Sequence, residues 1–304
     1  MSEFKYVVKD TDAGLQIKDI LRREFRFSAR LRTKMKQNNC MYLNGKNMID
    51  GKAVRGWQTP NEGDVLEVRF PLEISDFEPE DIPFDVIFED DDLLIINKPA
   101  GFVVHPTKGQ PSHTIANGLM KYILDTGQSF KIRFVNRLDM NTSGLLIVAK
   151  NAHVQENLIK QMKSGTIKKK YTAVVKGILP EDKGTIDAPL GRPDPDDVRR
   201  GVVVGGKESV THFTVLERLP AGCTLVELVL ETGRTHQIRV HMSHIGFPLV
   251  GDHLYGSECP ELIARHALHA GALTFLHPVS GSMIELSAPL PDDMKTLLSK
   301  LANG

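Results

Sequence analysis

Two short apolar runs constrain this chain most: Leu93-Leu94-Ile95-Ile96 and Leu145-Leu146-Ile147-Val148-Ala149. Neither alternates as a strand with one wet face would, and each is short and ends in turn-forming or polar residues. Both therefore read as buried strands within a sheet. Further strands are expected over 65–70, 170–175, 210–217, 223–230 and 283–287 and near Leu273. Helices are expected over 29–37, 114–124 and 152–162, from Thr235 and from Asp292. Strands arrive in pairs and helices irregularly, so the expected fold class is α+β with a mixed, mainly antiparallel sheet.

At 304 residues the chain suits about two domains, and 41% apolar with 25% charged residues is ordinary for a globular protein. A disordered tail, a collagen-like fibre and a disulfide-stapled miniprotein are excluded. The longest stretch free of Asp, Glu, Lys and Arg, 266–284, is broken by His, Gly and Pro, so no membrane span is expected. Lys5, Lys9, Asp10 and Asp12 stand where a signal peptide needs an apolar run. Cys40, Cys223 and Cys259 are odd in number and lack a C-x-x-C spacing, which argues for a reducing compartment. A cytoplasmic protein is expected.

The net charge of +0 hides segregation. Residues 1–75 hold 14 Lys/Arg against 10 Asp/Glu, residues 76–92 hold nine acids and no base, and 93–304 carries a net of +5. This divides the chain into a domain at 1–75, an acidic linker at 76–92 and a larger domain at 93–304, with two basic bodies suited to a polyanion. In the first body, Ile17, Ile20 and Leu21 sit at helical spacing, Ser28 can cap a second helix, and Asn44-Gly45 signals a hairpin. Arg22, Arg23, Arg26, Arg30, Arg32, Lys34 and Lys36 run through both helices against Glu24 alone. Such a run is often a solvated face, but across two helices it can form one phosphate-contacting surface. This order, with the hairpin Tyr42-Leu43-Asn44-Gly45-Lys46, resembles the S4-type RNA-binding domain of ribosomal proteins.

Three segments of the larger body could carry chemistry. Arg137-Leu138-Asp139 lies in a polar turn that feeds the apolar run 145–149, so Asp139 is either a turn residue or a carboxylate held rigidly at a strand edge. Gly233-Arg234-Thr235-His236-Gln237-Ile238-Arg239 reads as a glycine turn into a helix capped by Thr235. In Lys168-Lys169-Lys170-Tyr171 the lysines read as solvent-facing and the tyrosine as core. His241 with His244 and His266 with His269 raise a metal site, but no H-E-x-x-H or Cys pair accompanies them. P-loop and dinucleotide fingerprints are absent.

The ordered set of motifs resembles the RluA-type pseudouridine synthases over about residues 85–290. The blocks are Lys98-Pro99-Ala100-Gly101 with Val104-His105-Pro106, then Arg137-Leu138-Asp139 with Thr142-Ser143-Gly144-Leu145, then Lys170-Tyr171. Gly233-Arg234-Thr235-His236-Gln237-Ile238-Arg239-Val240-His241 follows, and then Arg265 with Leu268-His269-Ala270 and His277-Pro278. The family's common His before Arg-Leu-Asp is Asn136 here, and Met140-Asn141 replaces a pair that is commonly charged. The resemblance implies a pseudouridine-synthase-like catalytic domain behind the S4-type one. It also implies isomerisation of uridines in structured RNA, with rRNA favoured over tRNA and no cofactor or metal, by a protein expected to be a monomer. By the same resemblance Asp139 is the catalytic carboxylate, acting on the ribose or the base, and Arg239 pairs with it. Tyr171 stacks on the uracil, Arg137 fills the place of the extruded base, and Leu138 and Ile238 form the pocket's apolar wall. Two rivals keep the same residues: a non-catalytic RNA-binding or ribosome-assembly protein, and a nucleosidase pairing Asp139 with Glu231.

Overall fold

The computed structural model describes residues 4–70, 72–194, 196–256 and 258–303. The two apolar runs lie side by side, with Leu93–Lys98 antiparallel to Ser143–Ala149 from Leu93 opposite Ala149 to Lys98 opposite Gly144. Leu94, Ile96, Leu146 and Val148 pack against Ile115, Leu119 and Ile123 of the helix Ile115–Asp125. Leu93, Ile95, Leu145 and Ile147 pack on the other face against Val154 and Leu158 of the helix Ala152–Lys163. Helices on both faces are why neither strand alternates.

Both strands belong to a ten-stranded sheet. In order its strands are Lys183–Asp187, Val210–Leu219, Cys223–Leu230, Lys168–Lys176, Leu268–Leu276, Ser143–Ala149, Leu93–Lys98 and Asp85–Glu89. Met283–Ser287 pairs with Leu268–Leu276, and Arg133–Phe134 with Ser143–Ala149. Among the described residues the named strands of this sheet pair antiparallel except at one seam, where Leu268–Leu276 and Ser143–Ala149 run parallel. The expected mixed, mainly antiparallel α+β body is what forms. Gly144 permits the seam: its φ is +115°, and a Cβ there would stand 2.3 Å from Ala270 O. No L side chain fits that approach.

Residues 4–70 build a smaller unit around Ile17, Ile20, Leu21, Leu31, Met35, Met41 and Leu66. Helices Ile17–Glu24 and Ala29–Gln37 pack on an antiparallel sheet ordered Phe4–Val7, Val65–Val68, Met41–Leu43. Ser28 caps the second helix, its Oγ accepting from Leu31 N at 3.1 Å. Asn44 and Gly45, both at positive φ, make the hairpin turn that Leu43 and Lys46 close. The edge strand Phe4–Val7 had no clear sequence signal.

Two expectations change. The acidic segment 76–92 is not a free linker, because Asp85–Glu89 is an edge strand of the large sheet and Ile82 is buried against the helix Ile115–Asp125. Asp90 and Asp92 shape the tight turn that follows. Asp90 Oδ1 accepts from Asp92 N and Leu93 N, and Asp92 Oδ1 accepts from Asn151 Nδ2. The charges mark an edge strand, which pairs on one side only and tolerates acids on its rim. The two bodies also touch: the rings of Phe27 and Phe4 stand edge-on to His153 at 4.8 and 5.4 Å, and Ser28 Oγ donates to Glu156 at 2.7 Å. No helix among the described residues is long and apolar enough to cross a membrane.

Candidate active site

The loop entering Ser143–Ala149 is anchored at successive residues. Asn136, buried, imitates a strand: its Oδ1 accepts from Ile147 N at 2.8 Å and its Nδ2 donates to Leu145 O at 3.1 Å. Asp139 O accepts from Thr142 N at 3.0 Å. Lys98 Nζ donates to Met140 O at 2.9 Å, and to Pro99 O and Phe102 O. Lys98 is fully buried, and burial together with the neighbouring Arg265 charge pushes it down to about 7. Arg265 Nη1 donates to Asn141 O at 2.9 Å while its other nitrogens hold Asp293, and Thr142 Oγ1 meets His266 Nε2 at 2.9 Å. Buried groups therefore hold residues 140–142, which gives Asp139 a rigid mount.

Asp139 Oδ2 lies 3.3 Å from Arg239 Nη1 and 3.9 Å from His236 Nε2, with a quarter of its side chain exposed. The other side of Arg239 is committed: Nε and Nη2 each donate at 2.8 Å to the carboxylate of Asp252, which is fully buried. Burial alone would raise the Asp252 carboxyl, but the hydrogen bonds from Arg239 hold it below the ordinary range. Tyr255 lies against the guanidinium, 5.1 Å from its ring centre, and its hydroxyl contacts His236 Nδ1 at 2.7 Å. Burial pushes His236 below the usual histidine value, although Asp139 pulls the other way.

Arg239 rides on the helix Gln237–His244, two residues later than the expected start. Thr235 is not its cap. His236 stands there in the left-handed region with φ 59°, and the Gln237 side chain secures the turn. Gln237 Oε1 accepts from Arg234 N and Thr232 Oγ1, and Nε2 donates to Val210 O and Thr211 Oγ1.

Tyr171 comes from the strand Lys168–Lys176 and faces the same cleft, buried to 7% exposure. Burial, and after it the charge of Asp139, raises its phenol above the ordinary value. Arg137, Leu138, Asp139, Thr142, Tyr171, Ile238 and Arg239 line the cleft, so the fold brings together all six expected central residues. Leu138 and Ile238 are buried wall residues, whereas Arg137 is exposed at the rim. The opening continues past Lys163, Lys169 and residues 231–235. Lys169 is only partly exposed there, which departs from the solvent-facing reading of the lysine run. Glu231 also lines that side, but its carboxylate is 61% exposed and paired with His212.

The basic N-terminal residues do not line this cleft. Arg23 is bound to Asp12 and Glu24, Arg32 donates to Phe27 O, and Lys34 pairs with Glu73. Arg22, Arg26, Arg30 and Lys36 are exposed. The paired histidines are engaged with protein groups: His241 with Thr211 and Ala188 O, and His269 with Ser143 and Ala288 O. Asp252, His236, Tyr255 and Lys98 were not singled out as site residues from sequence. A partial signal lay in the Lys98-Pro99-Ala100-Gly101 block.

Residues 92–244 match the model of the RNA pseudouridylate synthase family. The uncharacterized RNA pseudouridine synthase YlyB of Bacillus subtilis is 47% identical over 261 residues, covering 84% of this chain and 86% of that protein. Ribosomal large subunit pseudouridine synthase D of Xanthomonas campestris is 40% identical over 309 residues, covering 97% of this chain and 91% of that one. Human RNA Pseudouridylate Synthase Domain Containing 1 superposes with a TM-score of 0.57 at 29% identity, over 68% of this chain and 83% of that chain. With Asp139 set against Arg239 in a cleft shared with Tyr171, and with relatives of this identity spanning both bodies, the chain belongs to the RNA pseudouridylate synthase family, enzymes that isomerise uridine in RNA.

Proposed function

We propose that this protein isomerises specific uridines of large-subunit ribosomal RNA, with Asp139 as its catalytic carboxylate and the first seventy residues as an S4-type RNA-binding domain. The observation that carries this is the Asp139 carboxylate, partly open to the cleft and 3.3 Å from a buried arginine. The rRNA target rests on relatives named ribosomal large subunit pseudouridine synthase D, one of them aligned over 97% of this chain. Three cysteines that form no disulfide among the described residues, two of them buried, favour the cytoplasm.

The reaction breaks the N1–C1′ bond, turns the uracil and rejoins it through C5. No atom is gained or lost overall: the proton that leaves C5 is matched by one taken up at N1. Extrusion of the base costs a few kcal/mol of stacking, which Arg137 at the rim offsets by occupying the vacated place. The base then lies between Leu138, Ile238 and the Tyr171 ring. Asp139, oriented by Arg239, acts as the nucleophile at the ribose or the base. Burial, and after it the charge of Asp139, keeps Tyr171 a neutral phenol. If Asp139 is bonded to the base, its charge is spent while C5 still holds its proton, which reduces what opposes the phenoxide, and Tyr171 can take that proton as Asp139 is expelled. In the ribose route C5 expels Asp139 from C1′ first and the proton leaves afterwards.

Large-subunit rRNA labelled with tritium at uracil C5 tests the reading. Release of tritium with no free uracil is expected. Free uracil would support a nucleosidase, and binding with neither product would support a non-catalytic RNA-binding protein. Mapping pseudouridines in cells lacking the protein would then identify the site, and a map unchanged in large-subunit rRNA would overturn that target.

A further inference from the structure

The pleat of the strand Lys168–Lys176 separates its first lysines. Lys170 points to one side, where it is exposed and reaches Glu227 at 3.1 Å. Lys169 shares the other face with Tyr171, two residues on, and lines the opening beside Asp139 and Arg137. Its ammonium comes down on the Gly233 turn, where a Cβ would lie 3.5 Å from Nζ. Of the two carboxylates that share this opening, Glu231 is held by His212 at 2.7 Å and Asp139 by Arg239 at 3.3 Å.

Among the described residues no carboxylate offsets the Lys169 charge: burial pushes the ammonium below the ordinary lysine value and nothing pulls it back. Leaving a partly desolvated cation without a counter-charge is unfavourable, and such groups mark sites where a ligand brings the missing charge. Arg137 and Arg234 line the same opening, so the ligand it fits is an anion. Two residues of strand separate Lys169 from Tyr171 by about 7 Å. That is the scale on which one nucleotide separates its phosphate from its base.

We infer that Lys169 is a substrate-positioning residue, whose ammonium takes a backbone phosphate of the RNA at the nucleotide whose base enters beside Asp139 and Tyr171. This rests on the reading of the cleft as a uridine-isomerising site. It explains why the strand carries two neighbouring lysines of different kinds, one paired at the surface and one held unpaired in the cleft.

The test uses the full chain with a large-subunit rRNA fragment and the variants Lys169→Met, Lys169→Arg and Lys170→Met. Lys169→Met should raise KM about tenfold with kcat within about twofold, and flatten the slope of log affinity against log salt by about 0.7. Lys169→Arg should restore most of both, and Lys170→Met should change neither. A Lys169→Met enzyme with unchanged KM and slope would overturn the inference, as would a KM defect that arginine fails to rescue in a folded protein. The slope is measured without turnover. RNA binding through Lys169 with no tritium release would therefore defeat the functional reading and leave the phosphate contact standing.

Discussion

Arg239 and Asp252 are joined by two parallel hydrogen bonds of 2.8 Å, both inside the protein, while Arg239 meets Asp139 through Nη1 at 3.3 Å. The bidentate bond fixes the plane of the guanidinium. It also satisfies the arginine's charge before substrate arrives, so Asp139 can leave its partner for a bond to the nucleoside without stranding a buried cation. In the proposed function the arginine therefore serves as a fixed orienting group for the Asp139 carboxylate.

Replacing Asp139 by Asn keeps the size of the side chain and removes the proposed nucleophile. Single-turnover tritium release should fall by at least about four orders of magnitude, the scale lost when a nucleophile is removed. RNA affinity measured by filter binding should stay within about threefold. Appreciable turnover in that variant would move the chemistry to another group.

Asp252→Asn should act at a distance from substrate. It leaves Arg239 with an amide in place of its buried counter-ion, which should destabilise the protein by about 3 kcal/mol. Arg239 would then turn towards Asp139, and kcat should drop by roughly a hundredfold, the cost of misplacing a reacting group by about an ångström. Rates taken well below the melting temperature separate the two effects. A lower melting temperature with unchanged kcat would make the pair purely structural.

Tyr171→Phe retains the ring proposed to stack on the base and loses the hydroxyl. Binding should change less than about twofold, while the rate should fall by at least about a hundredfold if the phenol moves the C5 proton. Equal losses in binding and rate would assign Tyr171 to packing.

The residues that the fold gathers in the cleft were legible in the sequence because each sits in a compact block at a strand or helix end: Asp139 before the run 145–149, Arg239 after a glycine turn, Tyr171 in a strand. Asp252 was not legible, because its partner lies 13 residues earlier and only the fold brings the two together. Lys169 was misread because alternation shows that neighbouring residues face opposite ways, but not which way leads to the cleft. The acidic segment 76–92 looked like a linker since composition cannot distinguish a free strap from a charged edge strand such as Asp85–Glu89. Thr235 has the chemistry of a cap, yet the four hydrogen bonds of the Gln237 side chain outweigh it.

His153, against Phe4 and Phe27, makes the contact between the bodies sensitive to acid. Burial pushes it down to about 4, whereas in the unfolded chain it titrates near 6.5. Between those values the unfolded state binds more protons, so stability falls as the pH drops from about 6.5 to 4, by at most about 3 kcal/mol from this group. Thermal melts from pH 7.5 to pH 4 should show this, and His153→Leu should flatten that part of the curve. An identical pH dependence in both proteins would place the acid-sensitive group elsewhere, for instance at His266, which burial pushes down to about 3.

The last prediction separates RNA capture from chemistry. A chain beginning at Glu73 keeps the Glu73–Arg133 pair and the bond from Ile132 N to Ser75 Oγ, so the large sheet retains its edge. It should fold, with His153 exposed and its acid sensitivity lost. What disappears is the surface carrying Arg22, Arg26, Arg30 and Lys36, cations that are exposed on the two N-terminal helices and the turn between them. If each meets one phosphate, the slope of log affinity against log salt should become shallower by roughly 3, at about 0.7 per phosphate on single-stranded RNA. Affinity at moderate salt should fall accordingly. At saturating RNA the chemical step should change little, because Asp139, Tyr171, Arg239 and the residues that hold them all lie beyond Glu73. Binding measured across a salt series for the full and shortened chains decides the matter. An unchanged slope would reduce the basic helices to a solvated face, and a collapsed single-turnover rate would mean that the first body also shapes the cleft.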